Sequence, residues 1–210
     1  MLLAFHQGGA SGEAEYGPIA HRLNREGYDV LVIDQRAGGG LFDGVNRTVQ
    51  ANGNETDYCK AAADLEGTLA WARAQANGRP LILWGRSYSA ALVLRLAATN
   101  PEAVIAVLAF SPTSGGPMAA CRGEEVSDRI RVPVLALRPR SEMELESAIA
   151  QAERFRAQVH QLFVADPGTH GSSMLVEDRV ESHVESTWEA VLAFLRNAVS
   201  PSAATVGTHR

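Results

Sequence analysis

Apolar positions along the chain fall into two recurring patterns. Short runs that are apolar nearly throughout, at residues 1–5, 28–33, 80–84, 103–110, 132–137 and 161–165, read as strands. Between them lie longer stretches whose apolar residues recur three and four apart, which read as helices. In residues 15–26 these are Ile19, Ala20 and Leu23, with Gly27 as a stop signal. In residues 57–75 they are Ala61, Leu65, Leu69 and Ala72, and Asn77-Gly78 closes the segment. Residues 88–98, 142–158 and 182–197 complete the helices, whereas residues 35–56 are glycine-rich and polar and predict a long surface loop. Apolar strands need cover on both faces, as in a parallel sheet. Strict strand–helix alternation predicts the same arrangement, a three-layer α/β/α sandwich with a mostly parallel sheet. No internal repeat interrupts it. One domain is expected over residues 1–198, with a small polar tail, residues 199–210, expected to fray.

Composition narrows the partners. The 210 residues carry 24 acidic against 19 basic side chains, a formal charge of −5, which offers no electrostatic footprint for nucleic acid or an anionic membrane. No apolar run is long enough to span a bilayer. Cys59 and Cys121 can make one disulfide at most, and their spacing suggests neither a disulfide framework nor a metal site. No signal peptide is visible, so a cytoplasmic location is expected, with a removed secretion signal as the alternative because the chain begins inside a strand.

Reactive groups in such a sheet belong at the carboxyl ends of the strands, and three ends stand out. The first runs Trp84-Gly85-Arg86-Ser87-Tyr88-Ser89 and passes straight into an Ala- and Leu-rich helix. A turn this tight strains Ser87, lifts its hydroxyl above the sheet and demands small residues two positions to either side. Gly85 meets that demand, and Ser89 meets it less fully. The start of the helix also offers free N–H groups and a positive dipole end where an oxyanion would form. Against this nucleophilic reading stands a serine in an ordinary polar turn. The second end places His170 between Thr169 and Gly171, in reach as a base for a serine that is a poor nucleophile without one. His21, His160, His183 and His209 lie on helices, at a strand start or in the tail. The third end leads from Pro133 through Arg138 to Glu142. An acid that orients the histidine is expected between Ser87 and His170 in sequence. Glu142 is the first choice, with Glu144 and Asp166 as alternatives, and each also reads as a solvated carboxylate or a helix N-terminal charge.

At this point the sequence resembles the α/β-hydrolase superfamily, in particular its small lidless members similar to dienelactone hydrolases and bacterial carboxylesterases. The resemblance extends from Met1 to about Ala198. It rests on His6-Gln7-Gly8-Gly9, Asp34-Gln35-Arg36, the turn at Ser87, the Pro133 strand and Thr169-His170-Gly171. It implies an oxyanion hole formed by the N–H groups of Gly8 and Tyr88, with His6 orienting the loop and Asp34 and Arg36 structural. Gln7 stands where the family usually has glycine, so its backbone or side chain is a further candidate. Ser89 replaces the second elbow glycine, the acid is Glu rather than Asp, and the first strands of a full hydrolase sheet are missing. Serine in place of the dienelactone hydrolases' cysteine points to ester chemistry.

These readings imply hydrolysis of a small-molecule carboxylic ester by a Ser87–His170–Glu142 triad through an acyl-enzyme. No metal or organic cofactor is needed. Arg86 and Tyr88 flank the serine as candidate substrate contacts, Arg86 reading equally as a surface charge. The interval between residues 110 and 132 is too short for a sizeable lid, so an open site is expected. Gly38-Gly39-Gly40 lacks the Gly-Lys-Ser/Thr of a phosphate loop, and the glycosylation patterns at Asn46 and Asn54 carry little weight alone. A monomer or homodimer is expected. Two rivals remain: an inactive hydrolase-like binding module, favoured by the irregular acid region, and a thioesterase or amidase using the same triad.

Overall fold

The computed structural model describes residues 1–158 and 160–200. The first strand, β1 (Leu2–Phe5), leads through α1 (Gly12–Arg25) to β2 (Val30–Val32). After β2 come α2 (Arg47–Asn52), α3 (Ala62–Gln75), β3 (Ile82–Arg86), α4 (Tyr88–Thr99) and β4 (Ala106–Phe110). The chain ends through β5 (Val134–Pro139), α5 (Glu146–Ala157), β6 (Gln161–Ala165), α6 (Glu177–Val180) and α7 (Glu185–Val199). All six strands pair in parallel in the order β2-β1-β3-β4-β5-β6.

Alternation explains why the strands are apolar throughout. Leu3, Phe5, Leu83, Val107 and Ala136 point to one face, under α3, α4 and α5. Leu2, Ala4, Ile82, Trp84, Leu108 and Leu137 point to the other, against Tyr16, Ile19 and Leu23 of α1 and Trp188 and Val191 of α7. Both faces are dry, so neither can carry the polar half of an amphipathic strand.

Two expectations change. The stretch expected as a plain surface loop holds α2 and a 3₁₀ turn (Leu41–Asp43), and it buries Gln35 and Asn46. The Asn46 amide donates to the Gln35 and Ala10 carbonyls (3.0 and 3.3 Å), so this glycosylation pattern serves packing. The helix expected from residue 142 starts only at Glu146, and Glu142 sits in a 3₁₀ turn (Arg140–Glu144). Between β4 and β5 lie only two further 3₁₀ turns, with no inserted lid. The expected tail lies outside the described residues from 201 onward.

After β1 the chain places β2 on one side of it and β3 on the other, so the order reverses between β1 and β3. Phe5 and Gly85 are in register there, which brings the loops after both strands to one crevice.

Candidate active site

Ser87 follows β3 directly and caps α4 with φ 57° and ψ −120°. A non-glycine residue there costs about 1–3 kcal/mol, which the surrounding structure must enforce. The enforcement is steric and hydrogen-bonded. A Cβ at Gly85 would lie 2.4 Å from the Ser89 carbonyl oxygen, so strand and helix touch backbone to backbone. The Ser87 N–H donates to the Phe110 carbonyl (2.9 Å), and the Ser89 hydroxyl donates to the His6 carbonyl (2.6 Å). Ser89 therefore ties the helix to the end of β1, a contact that glycine could not make. As the first residue of α4, Tyr88 has no carbonyl four residues back within the helix for its N–H.

His170 lies in the loop after β6 and is exposed, and Glu142 follows β5. The structure brings them together, with His170 Nδ1 2.6 Å from Glu142 Oε1. A carboxylate only accepts, so Nδ1 carries the proton in this bond, and Nε2 is the basic nitrogen of the neutral ring. Arg138 Nη1 donates to Glu142 Oε2 (2.6 Å) and its Nη2 to Gln151 Oε1 (2.6 Å) and the Pro112 carbonyl. Burial pushes the Glu142 carboxyl up, but the hydrogen bond and charge of His170, joined by Arg138, outweigh it and bring it below its ordinary value. Asp166 pairs instead with Arg140, and Glu144 is exposed.

The Ser87 hydroxyl is hydrogen-bonded to Thr113 Oγ1 (3.2 Å), and the Thr113 N–H donates to the Ser87 carbonyl (3.2 Å). Sequence reasoning missed Thr113. It stands just past the end of β4, a fourth strand end whose Ser111-Pro112-Thr113 was the available signal.

The loop after β1 is held from several directions. His6 Nε2 accepts the Gln35 N–H (2.9 Å), so Nδ1 bears the proton and donates to the Gln7 carbonyl (2.8 Å). Burial holds His6 below its ordinary pKa, which keeps this neutral tautomer. The Gln7 N–H donates to Glu15 Oε2 (3.1 Å). Both sides of the Gln7 backbone are thereby committed within the loop, and the residue is largely buried. Tyr58 covers Gly8 so closely that a Cβ there would lie 2.5 Å from its hydroxyl, and it stacks on Tyr88 at 4.5 Å. Cys59, beside Tyr58, is disulfide-bonded to Cys121, 62 positions away in sequence.

Two more expectations are corrected. Arg86 is only 3% exposed and points into the protein, so it is neither a surface charge nor a substrate contact. Tyr88 is buried too, its hydroxyl donating to the Ala37 carbonyl (2.9 Å), which leaves only its backbone N–H for the site. Asp34 accepts the N–H groups of Gly12 and Arg47 (both 2.8 Å), and Arg36 grips Asp64, so both brace loops.

The model of the family described as Serine aminopeptidase, S33 matches residues 1–174. No curated protein matches the chain. Among solved structures, an esterase of Pyrococcus furiosus superposes with a TM-score of 0.67 at 18% identity, over 95% of this chain and 82% of its own. Est1E from Butyrivibrio proteoclasticus gives 0.65 at 14% identity, over 94% and 88%. A dienelactone hydrolase from Anabaena variabilis gives 0.66 at 17%, over 93% and 85%. At these identities the likeness establishes the fold, that of the α/β-hydrolases.

Proposed function

The chain belongs to the serine aminopeptidase S33 family of α/β-hydrolases, and on that premise we propose that it cleaves a carboxylic ester of a small substrate through Ser87, His170 and Glu142. The observation that carries this reading is the Glu142–His170 pair at 2.6 Å, at the same sheet edge as a serine held at positive φ. The irregular acid region had favoured an inactive binding module. That region is the turn that delivers Glu142 to His170, which favours catalysis instead.

In the proposed reaction Ser87 Oγ turns from Thr113 and attacks the ester carbonyl while His170 Nε2 takes its proton. Such catalytic hydrogen bonds commonly tighten only when substrate is bound. Glu142 holds the imidazole by Nδ1–H and stabilises the imidazolium. The oxyanion accepts from the N–H groups of Gly8 and Tyr88, each such donor being worth about 10²- to 10³-fold in rate. Collapse expels the alcohol, which leaves with the proton from His170. Water then attacks the acyl-enzyme with His170 as base, releasing the acid and restoring Ser87. The lack of an inserted lid suits short acyl groups.

The six strands form one sheet, which supports reading residues 1–198 as one domain. No helix among the described residues is long and apolar enough to cross a membrane.

Exposure to a fluorophosphonate followed by intact-mass analysis tests the reading. One adduct on wild type, absent from Ser87→Ala and strongly slowed in His170→Ala, is the expected result. Folded wild-type protein that takes no adduct would overturn it.

A further inference from the structure

Behind the proposed site a buried ion pair joins the two loops that the reaction needs held together. Glu15 of α1 and Arg86 at the end of β3 are 0% and 3% exposed. Arg86 Nη2 donates to the His170 carbonyl (2.9 Å), and its Nη1 lies 3.5 Å from Glu15 Oε2. That same carboxylate oxygen accepts the Gln7 N–H (3.1 Å). One continuous path thus runs from the backbone of His170, through Arg86 and Glu15, to the His6–Gln7 peptide, one unit before the peptide that carries the Gly8 N–H. Ser87 is the next residue after Arg86.

The surroundings are shaped around this path. Gly171 has φ +64°, and a Cβ on it would lie 2.3 Å from Arg86 Nε, so the loop beside His170 packs directly on the guanidinium. Arg179 of α6 donates to the carbonyls of Ala14 and Glu15 (2.8 and 3.1 Å), bracing the turn of α1 that carries the carboxylate. The Phe42 ring lies over Arg179 at 3.8 Å and over Arg86 at 5.6 Å, closing the outer side.

Stability alone is a poor reason for such a pair. Burying two charges costs several kcal/mol per ion, and apolar residues of similar volume often do as well or better. Here Glu15 Oε1, Arg86 Nε and Arg86 Nη1 have no hydrogen-bond partner among the described residues, so the pair is not even fully satisfied. What it does accomplish is geometric: it spans the gap between two loops that meet nowhere in sequence.

We propose that Glu15 and Arg86 are positioning residues that fix the Gly8 N–H and the His170 imidazole relative to each other, so that both face Ser87 at once. Neither touches the substrate. The inference rests on the ester-hydrolase reading of Ser87 and His170, and its test separates the two. Three variants are compared: Glu15→Gln, which keeps an acceptor for the Gln7 N–H; Arg86→Met, which keeps volume but drops the His170 tether; and the double variant. Arg86→Met alone strands a buried carboxylate, so the double variant carries the test should that single variant fail to fold.

Near-UV circular dichroism establishes folding, intact mass gives the rate of Ser87 phosphonylation, and a 4-nitrophenyl short-chain ester gives kcat and KM. A small misplacement of catalytic groups costs up to about 10²-fold. The folded double variant is therefore expected to lose about 10- to 100-fold in phosphonylation rate and kcat, with KM within about twofold. Glu15→Gln is expected to lose less than Arg86→Met, and the double variant no more than the worse single, because the pair acts as a unit. A folded double variant with wild-type phosphonylation rate and kcat would overturn the positioning role and leave the pair merely structural. A wild type that is never phosphonylated would instead overturn the reading of Ser87 itself.

Discussion

At Glu142 one carboxylate meets two partners, His170 Nδ1 and Arg138 Nη1, each across 2.6 Å. Replacing it by Gln keeps the shape but lets an amide N–H face His170, so the imidazole is pushed toward the wrong tautomer. Glu142→Gln is therefore expected to lower kcat on a short-chain chromogenic ester by about 10⁴-fold while leaving slow phosphonylation of Ser87, read by intact mass. His6 makes a different statement. Burial depresses its pKa, so the folded chain refuses a proton that the unfolded chain accepts near the ordinary histidine value of about 6.5. Its contribution is fully present above that value and declines as pH falls from there toward the depressed folded pKa. Urea unfolding from pH 8 to pH 5 is expected to show that decline, and His6→Gln to flatten it while lowering stability at pH 8.

The contact of β3 with α4 decides whether the serine is presented at all. Their closest approach is at Gly85, whose φ is ordinary, so the demand for glycine there is purely steric. Gly85→Ala would force a methyl to 2.4 Å from the Ser89 carbonyl and 2.7 Å from a Val93 methyl. Overpacking of this kind costs about 1–3 kcal/mol. Because helix and strand must part to relieve it, the variant is expected to lose Ser87 phosphonylation as well as stability. Thermal unfolding beside labelling kinetics checks both. A variant that loses stability yet labels at the wild-type rate would show that the elbow tolerates the spread.

Across the whole molecule, the Cys59–Cys121 bond staples the segment carrying Tyr58 to the segment after β4. Closing a loop with a sequence separation of 62 removes chain entropy from the unfolded state worth about 4 kcal/mol. Reduction, or Cys59→Ser with Cys121→Ser, is expected to lower stability by roughly 2–4 kcal/mol in urea unfolding. The same bond bears on location. Disulfides persist where thiols are oxidised and are rare in a reducing cytoplasm. Alkylation of the protein as extracted from cells then decides between the cytoplasm and an oxidising compartment: blocked thiols mean the second.

What the sequence determined by itself was whatever depends on local pattern. Apolar runs and three-four spacing marked all six strands and the main helices, because burial on both sheet faces imposes those patterns residue by residue. The strand–turn–helix at Ser87 was legible for the same reason, since its small flanking residues are neighbours in the chain. Residues that act across distance were misread or missed. Arg86 read as a substrate contact or a surface charge beside the serine, and only packing against Glu15, 71 positions earlier, reveals it as buried. Thr113 left only the trace of a fourth strand end and the disulfide only two cysteines with uninformative spacing, because a contact between segments brought together by parallel pairing has no fixed spacing in sequence. Glu142 lies between the two cases: its place after β5 narrowed the choice of acid to a few carboxylates, and the pairing of β5 with β6 selected the one that reaches His170, because adjacent strands end side by side.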